Sequence, residues 1–157
     1  MYQFPVYRYT NGAADKESKM PERHADWLRQ ANRDLEHARR SAAGGDYEWA
    51  CFAAQQGAKK AVKAVYQWLG AIAWGHSVTM LLTNLPESYY PTESLVEQAK
   101  ALDKHYITTR YPNGFERGAP LDYYTLAEAE RSIEDAGAII RFCEDLLAGP
   151  RSDAEKT

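Results

Sequence analysis

Apolar residues recur at steps of three and four along most of the chain, and the phase of each run defines a helix. The clearest run is central. Tyr47, Cys51, Ala54, Ala58, Ala61, Val62, Val65 and Leu69 share one stripe of a helix predicted over Trp49–Leu69. Ala50, Ala53, Ala54, Gly57 and Ala58 are small enough to let neighbouring helices approach closely, which suits the middle of a bundle. The other side of the same helix carries Trp49, Gln56, Lys59, Lys60, Lys63 and Gln67.

The remaining runs read in the same way. Trp27, Leu28, Ala31, Leu35 and Ala38 mark a first helix from Glu22 to Ala43, ended by Gly44-Gly45. Asp46 is then the expected N-cap of the central helix, and the short join makes the two an antiparallel hairpin. Ser77 caps a short helix through Val78, Leu81 and Leu82, closed before Pro86. Thr92 caps a fourth helix with the stripe Leu95, Ala99, Leu102 and Tyr106, which Pro112 limits to about Arg110. The last helix runs from about Thr125 to Ala148 on Leu126, Ala129, Ile133, Ala136, Ile140, Cys143 and Leu147. No strand-like alternation of useful length occurs. The expected fold is therefore all-α, an up-and-down helical bundle of four long helices plus one short helix. An irregular N-terminal arm (residues 1–21) precedes the bundle (22–148), and a polar C-terminal tail (149–157) follows it.

Composition narrows the picture only in places. At 157 residues the chain is expected to be one domain with a core of its own. A net charge of −3 supplies no global attraction to nucleic acid, so any phosphate affinity has to be local. Cys51 and Cys143 both fall on apolar stripes and read as small buried hydrophobes, which fits a reducing, cytoplasmic setting. No stretch reaches the ~18 unbroken apolar residues of a membrane span, and the start shows no signal-peptide pattern, so no membrane association is expected.

Four segments, in order, resemble the HEPN domains (higher eukaryote and prokaryote nucleotide-binding). They are Asp26–Ala38, Tyr47–Ala64, Gly75-His76-Ser77-Val78 with Leu81-Leu82, and Leu102-Asp103 through Tyr106, Ile107 and Arg110-Tyr111-Pro112. The resemblance spans about Glu22 to Leu147. It implies a five-helix up-and-down bundle, usually a homodimer, often paired with a small nucleotidyltransferase in toxin–antitoxin systems. Other members are ribonucleases with an Arg-x(4–6)-His motif. That motif is not present here in standard form. Arg33-x-x-x-His37 is one residue short, Lys100-x-x-x-x-His105 has lysine for arginine, and His105-x-x-x-x-Arg110 is reversed. Many relatives carry glutamate where this chain has Lys59.

Two candidate clusters follow. Gln56, Lys59, Lys60 and Lys63 make a polar strip, flanked by Trp49 and Phe52, whose cations suit phosphate and whose rings could stack a base. A solvated or dimer-facing helix side explains the same strip. On helix four, Asp103, Tyr106 and Arg110 lie at steps of three and four, an anion site or a structural network at the helix end. His76 precedes the short helix, where it can cap, bond the central helix or meet a phosphate. The candidates for nucleotide or RNA phosphate binding are thus Gln56, Lys59, Lys60, Lys63, His76, Tyr106 and Arg110. Catalysis would fall to His105 with Arg110 or Lys100, a general acid or base beside a phosphorane-stabilising cation. Five residues leave His105 and Arg110 roughly 140° apart around an ideal helix. No cofactor, zinc site or phosphate-cradling glycine loop is expected. The functional readings are a nucleotide- or RNA-binding module paired with a nucleotidyltransferase, a metal-independent ribonuclease toxin, and a pure interaction module.

Overall fold

The computed structural model describes residues 7–8 and 23–151; most of the expected N-terminal arm and most of the C-terminal tail lie outside the described residues. Helix α1 (His24–Ala43) and helix α2 (Tyr47–Trp68) form the expected hairpin. The turn between them uses Gly45 at φ 85°, a left-handed conformation that favours glycine. Asp46 occupies the N-cap position of α2, but its side chain makes no capping hydrogen bond, contrary to expectation. Helix α3 (Val78–Thr83) begins at Ser77, whose hydroxyl accepts from the Met80 amide. Thr92 caps helix α4 (Glu93–Asp103) through the Leu95 amide. The short helix α6 (Pro120–Tyr123) leads into helix α7 (Leu126–Ala148), whose Thr125 and Glu128 make a reciprocal capping box.

The fourth helix departs from expectation. Instead of one helix to Arg110, it relaxes at Lys104 and resumes as helix α5 (His105–Thr108). The Thr108 and Thr109 hydroxyls donate to the carbonyls of Lys104 and His105, 2.7 and 2.6 Å away. Such side-chain competition for carbonyls four residues back loosens and bends a helix. A two-residue antiparallel pairing of strand β1 (Tyr7–Arg8) with strand β2 (Ala71–Ile72) is also present, too short to leave an alternating pattern in the sequence.

Helix α2 is the axis. It packs against α1 and α7 along its length and against α3, α4 and α5 near one side. The core gathers Leu35, Val62, Val65, Leu82, Leu102, Ile139 and Ile140, with both cysteines free and buried. Burying each such aliphatic side chain is worth ~1.5–3 kcal/mol. The α1–α2 contact is tightest at Gly57, where an added Cβ would lie 3.0 Å from the Ala31 carbonyl oxygen. Polar ties fix the other contacts. Asn32 of α1 reaches Glu144 of α7 at 3.1 Å, and Gln98 of α4 reaches the buried Asp135 of α7 at 3.0 Å. Among the described residues no helix is long and apolar enough to cross a membrane.

Candidate functional site

The site grows from Asp103, the last residue of α4. Its carboxylate accepts from the Val78 and Thr79 amides, both at 2.9 Å, and from the Ser77 and Thr79 hydroxyls at 3.0 and 2.6 Å. Gln55 adds a fifth donor at 3.3 Å. The first amides of a helix have no partner within it, and a carboxylate there also meets the favourable end of the helix dipole. Asp103 therefore pins the start of α3 to the end of α4, with its acceptor capacity fully used.

Gln55 is fully buried on α2 and is the residue the sequence reading missed. Its amide NH2 also donates to the His76 carbonyl at 2.8 Å, which fixes the loop before α3. Its carbonyl accepts from Gln56 at 2.8 Å, and the Gln56 carbonyl accepts from Lys59 Nζ at 2.8 Å. A continuous chain of hydrogen bonds thus runs from the Lys59 amine through two glutamines to Asp103. The sequence signal for it is a glutamine pair interrupting the small, apolar run from Ala50 to Ala58.

Above this chain lie the rings. His76 stacks on Tyr106 with centroids 4.8 Å apart. The Arg110 guanidinium lies 4.5 Å from the Phe52 centroid, 4.7 Å from Tyr106 and 5.3 Å from Tyr111. Its Nε and Nη2 donate to the Tyr106 carbonyl at 3.0 and 2.7 Å. Cation–π contact and two carbonyl bonds hold this cation in place without neutralising it. Trp49, half-exposed, meets Phe52 edge-on and extends the aromatic rim.

The electrostatics are one-sided. Among the described residues no ion pair involves Lys59, Lys63 or Arg110. Lys59 is only 8% exposed. Burial, then the charges of Lys63 and Lys60, push its amine down to about 8; Asp34 pulls the other way, and Arg110 adds a lesser push down. Burial also lowers Lys63. Partial burial, followed by the charges of Lys59, Lys63 and Arg110, holds the His76 ring below the usual imidazole range. Four groups able to carry positive charge therefore converge beside a carboxylate that is already spent.

The predicted residues divide accordingly. Gln56 bonds Lys59, and His76, Tyr106 and Arg110 form one cluster; the charge of Lys63 acts on both Lys59 and His76. Lys60 turns the other way and pairs with Asp34 of α1 at 2.6 Å, so the expected four-residue strip splits in two. A groove of about 850 Å³ lies on that second side, lined by α1 and Lys60. Arg23 and Arg29 share Asp26, Arg33 and Arg40 share Glu36, and Lys60 pairs with Asp34, so each cation lining the groove already faces a carboxylate, which weakens its pull on an anion. The catalytic candidates do not assemble within the chain. His105 Nδ1 bonds the Tyr124 hydroxyl at 3.0 Å, while Arg110 joins the Phe52–Tyr106 cluster. Burial, first among several influences, holds the His105 ring below its ordinary range. Lys100 is exposed on α4. Among the described residues no group of three histidine, cysteine or acidic side chains could hold a metal ion.

Known proteins share this fold. A Thermus thermophilus structure, TT1696, is 48% identical, with a TM-score of 0.78 over 79% of this chain and 98% of its own. The archaeal HEPN homologue ST0689 is 42% identical, with a TM-score of 0.68 over 79% of this chain and 97% of that one. A HEPN domain protein from Thermotoga maritima is 43% identical, with a TM-score of 0.66 over 80% and 99%. In Methanocaldococcus jannaschii, the protein named "Putative toxin MJ1304" is 28% identical over 130 residues, 77% of this chain and 86% of its own length. The HEPN domain profile matches residues 24–146, and the chain belongs to that family.

Proposed function

We propose that this HEPN protein binds the phosphate of a nucleotide or RNA between Lys59, Lys63, His76 and Arg110, and that Gln56 and Tyr106 orient what is bound. The observation that carries this reading is the convergence of these groups with no facing carboxylate left to compensate them. Unpaired cations held by neutral carbonyls and rings are a preorganised anion site, because the repulsion between them is relieved only when an anion enters. Trp49 and Tyr111 on the rim offer faces for a base. The similarity to a protein named as a toxin supports placing the chain in a toxin–antitoxin-like pair. Its expected companion is a small nucleotidyltransferase, its expected form a homodimer and its expected setting the cytoplasm.

The test is thermal unfolding of the full chain with ATP, GTP and a short single-stranded RNA. A ligand at 100 times its dissociation constant stabilises by ~2.7 kcal/mol. The shift should shrink in Lys63→Ala and Arg110→Ala and persist in Lys100→Ala. No shift with any of the three ligands overturns the binding reading. Co-expression with the neighbouring gene product and joint purification tests the pairing.

A further inference from the structure

We propose that an anion entering between Lys59, Lys63, His76 and Arg110 binds together with a proton, and that Lys59 takes up that proton. The inference rests on the phosphate-binding reading and adds how the site is regulated.

The surroundings of the Lys59 amine are unfavourable to its charged form. It is buried, and its hydrogen bond goes to the neutral Gln56 carbonyl. On its own helix the charge of Lys63, and that of Lys60 from the other side, act against its ammonium form. From the end of α5 it faces Arg110, and His76 faces it from the loop before α3. Asp34 of α1 is the one attractive charge, but its two oxygens already hold Lys60 at 2.6 Å and Gln30 at 2.9 Å. Asp103 on α4 is reached only through Gln55 and Gln56, and its oxygens hold five donors. Every nearby charge therefore either repels an ammonium or is engaged elsewhere. With the amine pushed down to about 8, the site holds a mixture of ammonium and free amine in mildly alkaline solution. A phosphate oxygen supplies the missing counter-charge and favours the ammonium. Linkage then requires that the ligand and the proton bind cooperatively.

Lys63 and His76 are less suited to the role. Lys63 is more exposed than Lys59. His76 has its ring stacked on Tyr106 and starts further below the working range.

Isothermal titration of the full-length protein with ATP at pH 8, in buffers of different ionisation enthalpy, reads the proton count directly. The terminal phosphate of ATP is essentially ionised there, because its last pKa is about 6, so uptake reports the protein. We expect about half a proton taken up per ATP at pH 8 and nearly one at pH 9. Affinity should fall roughly tenfold from pH 7 to pH 9 as the ammonium fraction falls. Lys59→Arg, with a permanent charge, should abolish the uptake and flatten this profile, whereas Lys63→Arg should retain the uptake. Should Lys59→Arg fail to fold, Lys59→Met serves, with weaker ATP binding and no uptake expected. ATP binding with no proton exchange overturns this proposal and leaves the phosphate site standing. Uptake lost in Lys63→Arg but kept in the Lys59 variants overturns the assignment to Lys59. Binding of neither ATP nor a short single-stranded RNA removes the site, and the proton coupling with it.

Discussion

Lys59 and Lys60 are adjacent in sequence and opposite in circumstance. About 100° of helical rotation separates them, and α2 presents them to different neighbours. Lys60 meets a carboxylate at 2.6 Å that a second side chain, Gln30, holds in position. Lys59 meets a carboxamide at 2.8 Å and a ring of like charges. On the α1 side each cation around Lys60 already faces a carboxylate. On the α3–α5 side, cations are held by groups that cannot neutralise them. The first arrangement is what a protein does with charge it needs to keep quiet. The second stores repulsion, which the proposed anion would release. The difference teaches that a lysine count on a helix face says little until each lysine's partner is known.

The comparison can be broken at its foundation. Asp103→Ala removes the acceptor for four donors at the start of α3 and for Gln55 of α2, and we expect a loss of ~2–4 kcal/mol in denaturant unfolding, with anion binding lost alongside. A loss below ~1 kcal/mol would show that the Lys59 side does not hang on this residue.

Next in size is the close approach behind Lys60. Gly57→Ala should cost ~1–3 kcal/mol in the same unfolding measurement, because the new methyl meets backbone that cannot easily give.

The sharpest contrast comes from removing each charge in turn. Lys60→Met leaves Asp34 half-buried and unpaired and should destabilise by ~1 kcal/mol. Lys59→Met should leave stability unchanged or raise it by up to ~1 kcal/mol at pH 7, since it deletes a buried, repelled charge. Effects of the same sign in both variants would dissolve the distinction.

The pH dependence of unfolding gives the last effect, and it is legible only as a difference between two proteins. With Lys59 at about 8 when folded and near 10.4 when unfolded, the unfolded chain binds more protons between these values. Stability contributed by this group therefore rises from pH 8 toward 10. Comparison of wild type with Lys59→Met isolates that rise, which should be absent from the variant.

Much of this fold was legible in the chain. Ser77, Thr92 and Thr125 are side chains whose capping chemistry is local, so their helix starts could be read directly. The helical stripes were equally local. What could not be read depended on distant partners. Lys60 joined the strip on adjacency alone, since nothing local marks Asp34, 26 residues earlier, as its partner. Gln55 looked like one more polar residue beside Gln56, and its role emerges only when α3 and α4 bring His76 and Asp103 to it. The relaxation at Lys104 likewise depends on hydroxyls that also serve as ordinary helix positions.

The clearance at Gly57 has a consequence for what binding would cost. With α1 and α2 in backbone contact there, the hairpin acts as one stiff beam, and neither helix can slide past the other without collision. Lys59 and Lys63 are mounted on that beam, about half a turn and somewhat under two turns beyond the contact. Their spacing is set when the core forms, before any ligand arrives. A rigid mount spares the complex the entropy of ordering a loop, so even a shallow site can hold a small anion with useful affinity.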